Sequence, residues 1–477
     1  MTMESVAAAV SRLRELASAE PLATLAARFE AAGHELALVG GPVRDAFLGR
    51  PVNDLDLTTS ARPDDIVRIV RPVADAHWDI GRAFGTIGAR LGDHTVEITT
   101  YRADAYSPES RKPEVAFGDS LEGDLVRRDF TMNALALRLP SLTLVDPSGG
   151  LDDLFARRLM TPSPPEVSFG DDPLRMLRAA RFAAQLSVDV DPAVVEAMAR
   201  MRERLSIVSA ERIRDELVKL LATASPRRGL ELLVLTGLAD HVLPELPALR
   251  LEVDEHAHHK DVYEHSLTVL DQAIALENER HPGSPPDTVL RLAALLHDIG
   301  KPATKKVEAG GAVTFHHHDI VGAKLARKRL TALRFDKDTI GAVSRLIELH
   351  LRFFGYADAP WTDSGVRRYV RDADDLLERL HILTRADVTT RNRRKEARLR
   401  GAYDELERRI AALAEQEELA AIRPDLDGEQ IMVILGLRPG PLVGEAYRFL
   451  LETRLDEGPL GVEEAERRLR DWYAERA

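Results

Sequence analysis

All of the strand-like patterning in this 477-residue chain lies before about residue 154, and the pattern beyond it is helical almost to the end. That division constrains the fold more than any other feature. Short apolar or alternating runs at 36–39, 55–58, 86–91, 95–100 and 142–145 predict strands, with Gly92-Asp93 as a hairpin turn between two of them. A chain this long cannot close around one core. The predicted class is therefore α+β: a sheet-bearing head with helices, followed by all-α domains. Ahead of the head, residues 1–22 read as an amphipathic helix with Val10, Leu13 and Leu16 on one side. The proline-rich stretch 161–165 predicts a stiff linker, and 281–286 a loop.

Composition narrows the chemistry. With no cysteine there is no disulfide, zinc-thiolate site or thiol nucleophile. No apolar run is long enough to cross a bilayer, and the N-terminus lacks the succession of a signal peptide, so a cytoplasmic protein without a membrane partner is expected. A formal charge of −13 opposes nucleic-acid binding in bulk, but it says nothing of local patches. One such patch holds Arg391, Arg393, Arg394 and Lys395.

The chemistry-bearing motifs begin at Gly40-Gly41-Pro42-Val43-Arg44-Asp45 after the first apolar run, followed by Asp54-Leu55-Asp56 on the second. Paired glycines let backbone approach a phosphate closely. Residues two apart on a strand share a face, so Asp54 and Asp56 project together and call for a cation; hard oxygen ligands favour Mg²⁺. Glu97 on a neighbouring strand adds a third carboxylate. Further on, Asp172-Pro173 reads as the cap and first turn of a helix carrying Arg175, Arg178 and Arg181 along one stripe, with Phe182 packing elsewhere. In the middle of the chain, a His297-Asp298 doublet ends an apolar helix, with His265, His318, His350 and Asp387 around it in sequence.

The Gly40 to Asp56 spacing, together with Arg127-Arg128-Asp129-Phe130-Thr131-Met132-Asn133, the Asp146-Pro147-Ser148-Gly149-Gly150 turn and the Asp172 segment, resembles the class II tRNA nucleotidyltransferase and bacterial poly(A) polymerase family. The resemblance implies a catalytic head at 23–155, a helical neck and body at 156–250 and a helical tail at 391–477. It implies that Gly40, Gly41 and Arg44 contact the triphosphate, that Asp54, Asp56 and Glu97 hold Mg²⁺ for catalysis, and that Arg128, Asp129 and Asn133 meet phosphate or ribose. Asp172 and Arg175 would read the base, with Arg178 and Arg181 near the phosphates. A carboxylate acceptor beside a guanidinium donor suits cytosine and adenine, which present an amine next to a ring acceptor. Where the family usually has Glu, this chain has Asp171. The stretch 209–221 resembles the family's neck signature and would support the pocket by packing and ion pairs.

The histidine set resembles an HD-type metal phosphohydrolase domain over 251–390, with His265, His297, Asp298 and Asp387 on one divalent transition metal and His318 and His350 completing a second site. The expected activity is template-independent addition of CCA to the 3′ end of tRNA from CTP and ATP, with release of pyrophosphate. The alternatives are a poly(A) polymerase, an enzyme adding only CC or only A, and an HD phosphohydrolase on nucleotides or 2′,3′-cyclic phosphates. Against the polymerase, the second strand begins Val52-Asn53-Asp54 where a Lys-Asp-Phe-Asp is usual. Against a CC-adding enzyme, the segment 101–122, with Arg102, Tyr106, Arg111 and Pro113, is full length. The basic patch at Arg391 to Lys395 is the expected contact with tRNA backbone.

Overall fold

The computed structural model describes residues 6–52, 54–79, 81–102, 117–251, 261–308, 313–353, 355–356, 361–389, 392–417 and 423–476. The chain forms two compact units, residues 1–244 and 245–477.

The first unit is organised by a seven-stranded sheet of β1 (Leu36–Val39), β2 (Leu55–Thr59), β3 (Ala76–Trp78), β4 (Thr86–Leu91), β5 (His94–Thr100), β6 (Ala136–Leu139) and β7 (Thr143–Val145). Their order across the sheet is β3-β4-β5-β2-β1-β6-β7. Every residue of β1 is buried, which suits an unbroken apolar run to an interior strand. Only β2 and β5 run parallel; the crossover between them passes through the helix Pro63–Val70 and the hairpin strand β4. β4 and β5 are joined by the two residues expected, with Leu91 opposite His94 and Gly92 at φ +58°. Strand β7 starts one residue later than expected because Leu142 is in the left-handed region.

Two strands of this sheet escaped the sequence pattern for different reasons, and so did the two-residue strands Arg158–Leu159, Asp189–Val190, Lys306–Val307 and Val313–Thr314, which pair in two small sheets of their own. β3 is a short edge strand with Ala76 and His77 exposed, so it carries no apolar alternation. β6 lies in an apolar run from Phe130 onward whose period does not separate strand from buried helix. The N-terminal helix Val6–Ser18 buries Ala9, Leu13 and Ala17 and leaves Val10 exposed, so its contact face is the stripe with the smaller side chains. The expected proline-rich linker instead runs into a helix, Pro165–Asp171, because proline is tolerated in a first turn.

Beyond the sheet, the helix Leu174–Leu186 is the buried axis of the neck. Helices Ala210–Leu221 and Arg227–Leu235 pack on it. Its start is set by Asp172, whose Oδ1 accepts the Leu174 amide at 3.1 Å.

In the second unit, Val262–Arg280, Thr288–Leu296, His318–Ala332, Lys337–Leu349 and Leu377–Ala386 form a helical cluster. Residues Leu290 to Leu296 are all buried, and Arg291 is tolerated there because Glu277 meets it at 2.8 Å. The helical tail expected at 391–477 opens with the long charged helix Arg393–Glu417. Three further helices, Gly428–Leu435, Pro441–Glu457 and Val462–Ala474, enclose a small core around Ile431, Leu450 and Leu469. No helix among the described residues is long and apolar enough to cross a membrane.

One close approach in the sheet is open to test. Trp78 lies across β4 from Gly88, and a Cβ there would fall 2.0 Å from the indole Nε1. Gly88→Ala should therefore displace the indole and lower stability by about 1–3 kcal/mol, measured as an earlier urea transition by tryptophan fluorescence.

Candidate active site and metal centre

Asp56 and Glu97 are register partners on the parallel strands β2 and β5, so their side chains leave the same face of the sheet. Asp54 precedes Asp56 by two residues, and its charge acts on the Asp56 carboxyl. Burial, then Glu97 and Asp54, raise the Asp56 pKa, while Arg128 and Arg44 pull it down less. A half-buried carboxylate whose ionisation two neighbouring acids oppose fits a divalent cation, whose charge would remove the conflict. Asp56 and Glu97 line a cavity of about 500 Å³ together with Arg127, Arg128, Arg175 and Arg178.

The glycine turn sits beside this cavity's arginines. Gly40 has φ +76° and ψ −122°, a backbone conformation that a side chain would strain, and its amide donates to the Leu135 carbonyl at 2.9 Å. A Cβ at Gly40 would lie 3.5 Å from Arg128 Nη1, so the turn and that guanidinium are neighbours. Arg128 in turn donates to Asp124 Oδ2 at 3.1 Å. From the helix Gly41–Phe47, Arg44 donates to Asn133 Oδ1 and makes two bonds of 2.9 Å to Asp45.

Asn133 passes the network on. Its Nδ2 donates to Asp129 Oδ1 at 3.1 Å, and Asp129 Oδ2 receives Arg178 Nε at 2.9 Å and Nη2 at 2.6 Å. Burial alone would raise the Asp129 pKa, but Arg178 and Asn133 outweigh it and hold the carboxyl at about 2. Arg181 donates through Nε to Glu216 Oε2 at 2.7 Å, and Arg178 lies 3.6 Å from the other Glu216 oxygen. Arg44, Asn133, Asp129, Arg178 and Arg181 thus form one connected polar layer. Asp129 and Asn133, expected to meet a ligand, are engaged with protein groups here.

Asp172 and Arg175 take different partners. Asp172 Oδ2 pairs with Arg212 at 2.8 Å, while Arg175 reaches Ser168 Oγ at 2.9 Å and the Arg127 carbonyl at 2.7 Å. Arg175 lines the cavity and is buried. Asp124 and Ser168 were not singled out from sequence, and nothing local marks them; Arg212 lies in the 209–221 stretch expected to support the pocket by ion pairs. Glu216 had a signal: it is an acid on the apolar stripe of Ile213, Leu217 and Leu220.

The second constellation lies in the helical unit. Donor atoms of His265, His297 and Asp387 fall within 4.8 Å of one another, as do those of Asp298, His318 and His350. His297 Nδ1 meets the Ala294 carbonyl at 2.9 Å, His318 Nδ1 that of Phe315 at 2.8 Å, and His350 Nδ1 that of Ile347 at 2.6 Å. His265 Nδ1 pairs with Thr389 Oγ1 at 3.0 Å. Each ring therefore turns Nε2 toward the carboxylates, the arrangement that orients histidine as a metal ligand. His265 Nε2 stands 3.0 Å from Asp387, and Asp298 lies between the two groups, 3.2 Å from His297 and 3.3 Å from His318. His350 Nε2 is buried with no hydrogen-bond partner. Helix approach makes this possible, since a Cβ on Gly300 would fall 2.1 Å from the His318 carbonyl oxygen. The residues fit two divalent ions. Without one, burial would lower the His297 pKa, but Asp298 and Asp387 raise it to about 10, and burial with the His297 charge lowers His350 to about 4.

Of the basic patch, Arg393, Arg394 and Lys395 are exposed at the start of the helix Arg393–Glu417, where Asn392 accepts the Arg394 and Lys395 amides. Arg391, Tyr106, Arg111 and Pro113 lie outside the described residues.

Three family models match the chain: the poly A polymerase head domain over residues 36–160, the probable RNA and SrmB-binding site of polymerase A over 187–249, and the HD domain over 262–392. Together they define a nucleotidyltransferase with an appended HD domain, and both of these families use divalent metals. An A-adding tRNA nucleotidyltransferase of Deinococcus radiodurans is 37% identical over 88% of this chain and 91% of its own length. A CC-adding tRNA nucleotidyltransferase of Thermus thermophilus is 32% identical over 90% of this chain and 91% of its own. A CCA-adding enzyme of Bacillus velezensis is 39% identical over 46% of this chain and 53% of its own. The chain belongs to the tRNA nucleotidyltransferase family. Its fold is that of a Bacillus stearothermophilus CCA-adding enzyme solved in complex with CTP, with a TM-score of 0.70, 24% identity and coverage of 95% of this chain and 97% of that one.

Two outcomes follow from these geometries. Asp129→Asn should cost about 2–3 kcal/mol, below the roughly 3–5 of a fully buried pair because Arg178 keeps some solvent contact. Asp129 has a depressed folded pKa, so its contribution is complete above the unfolded carboxylate range and is lost as pH falls toward about 2. Urea midpoints between pH 5 and 2 should then fall more steeply in the wild type than in the variant. In the helical unit, adding a divalent cation to chelator-treated protein should raise Tm and release about one proton per chain, read with a pH indicator. His297→Ala should abolish both effects.

Proposed function

We propose that this protein adds C, C and A to the 3′ end of tRNA, taking nucleotidyl groups from CTP and ATP and releasing pyrophosphate. The observation that carries the reading is the convergence, around one cavity, of the Asp56 and Glu97 pair with Arg127, Arg128, Arg175 and Arg178, the last of them held by Asp129. Asp54, Asp56 and Glu97 are the residues that would hold Mg²⁺, which supplies activation of the attacking hydroxyl and neutralisation of the leaving phosphate. The chain's own contribution is positioning and charge. The Gly40-Gly41 turn lets backbone reach the triphosphate, while Arg44, Arg128, Arg178 and Arg181 offset its negative charge. Asp129 and Asn133 hold Arg178 and Arg44 in place, and Asn133 also borders the ribose.

Asp172 and Arg175 are the proposed base readers. Arg212 orients the Asp172 carboxylate, and Ser168 with the Arg127 carbonyl orients Arg175. The neck and body that carry them, residues 156–250, and the head, 23–155, make up the transferase. The HD domain at 251–390 holds divalent transition metal through His265, His297, Asp298, Asp387, His318 and His350. Arg393, Arg394 and Lys395 are cations at the positive end of a helix, an arrangement favoured only when an anion is near, and they are assigned to tRNA backbone. A cytoplasmic location goes with this substrate.

One observation favours a narrower activity. The two relatives that match about nine-tenths of the chain are an A-adding and a CC-adding enzyme, whereas the CCA-adding relative of Bacillus velezensis matches less than half of it. Purified protein with tRNA lacking its last three nucleotides, and separately with tRNA ending in CC, given each nucleotide alone and both together, decides between them by product length. CC from CTP and CCA from both is the expected result. A added only to tRNA already ending in CC means an A-adding enzyme, and long A tails mean a polymerase. Asp54→Ala and Asp56→Ala should each lower incorporation by at least roughly 10²–10³-fold, while His297→Ala leaves it unchanged.

A further inference from the structure

Phe182 packs under three guanidiniums. The Cζ atom of Arg181 lies 4.0 Å from its ring centroid, that of Arg44 5.4 Å and that of Arg178 5.6 Å. Two of these arginines come from the ring's own helix, Leu174–Leu186, and the third from the helix Gly41–Phe47 some 130 residues earlier in the chain. The ring is almost fully buried and is itself steadied by Phe130, edge to face at 5.6 Å and 79°.

Each guanidinium already spends N–H groups on an acid or amide: Arg44 on Asp45 and Asn133, Arg178 on Asp129, Arg181 on Glu216 and Gln185. Those bonds use the edges of the planes. An aromatic face attracts a cation through its quadrupole without consuming a donor, so the ring adds attraction while donors stay available for oxygen acceptors. Three like charges gathered this closely also repel one another: burial first, and Arg178 after it, lowers the Arg181 pKa, with Glu216 opposing. An aliphatic side chain of similar size would fill the space without adding the ring's attraction.

We infer that Phe182 is a positioning residue for nucleotide binding: its ring preorganises Arg44, Arg178 and Arg181 as one cationic set for the triphosphate. The inference rests on the nucleotidyltransferase reading of the head. It adds a function for a residue whose type suggests only core packing.

The test replaces Phe182 in the full-length protein by phenylalanines carrying one, two and three fluorines, which weaken the ring quadrupole at nearly constant shape, and separately by Leu. KM and kcat for CTP and ATP are measured with tRNA lacking its terminus, alongside the Kd for ATP alone and Tm. KM and Kd should climb with each fluorine, to roughly tenfold for the trifluoro ring, with kcat and Tm little changed; Phe182→Leu should fall at the weak end. Flat KM and Kd across the series, or losses that merely track Tm, overturn the inference and leave the ring as core. If the wild type binds ATP but transfers nothing, the transfer reading fails while the fluorine trend in Kd still decides the role of Phe182. A wild type that binds no nucleotide overturns both.

Discussion

The ion pair between Asp129 and Arg178 is the interaction on which the transferase half depends. It joins a loop of the sheet-bearing head to the buried axis of the neck, using two bonds of 2.6 and 2.9 Å. Burying a carboxylate is costly, and that cost is offset only because Arg178, Asn133 and the Phe130 amide all donate to it. The consequence spreads in both directions. Through Asn133 the pair orients Arg44 on the glycine turn; through Arg178 it shares Glu216 with Arg181. Arg178, which faces the cavity, is therefore held by an acid that is itself held, which keeps a long, flexible cation in one geometry before any anion arrives.

The metal centre of the second unit solves a related problem with the opposite chemistry. Six side chains able to ligate a metal are brought together from positions between His265 and Asp387, each histidine clamped through Nδ1 so that Nε2 faces inward. In the head, carboxylates repel and await a cation. In the helical unit Asp298 and Asp387 raise the His297 pKa, so a divalent cation binding there would displace a proton. Both sites are strained electrostatically in the direction that favours divalent metal.

Much of this was legible in the residues. Gly40-Gly41 at the end of an apolar run, Asp54 and Asp56 on a strand, and His297-Asp298 at the end of an apolar helix each announce their chemistry through local spacing. The strands of the large sheet that the sequence missed, β3 and β6, are those whose residues lack an alternating pattern, and the missed two-residue strands elsewhere are too short to carry one. Glu216 was visible as an acid on an apolar stripe. Asp124 was not, because a charged residue that pairs across the fold looks like any solvated one, and for Arg212 only the stretch that carries it was legible, not its partner Asp172. Phe182 was misplaced for a like reason: it was expected to pack away from the arginines of its helix, and it lies under them.

The sequence alone determined which side chains carry reactive chemistry and which local element bears each of them, since strand and helix periodicities and turn residues are short-range properties. Only the tertiary structure decided how they are partnered. The parallel pairing of β2 with β5 puts Glu97 opposite Asp56, and the neck's packing puts Glu216 beside Arg181 and Asp129 against Arg178. Partners like these are separated by up to about fifty residues or, for Arg44 and Phe182, by far more. Burial then sets their protonation and their fixed geometry, and burial is a property of the packed chain rather than of any segment in it.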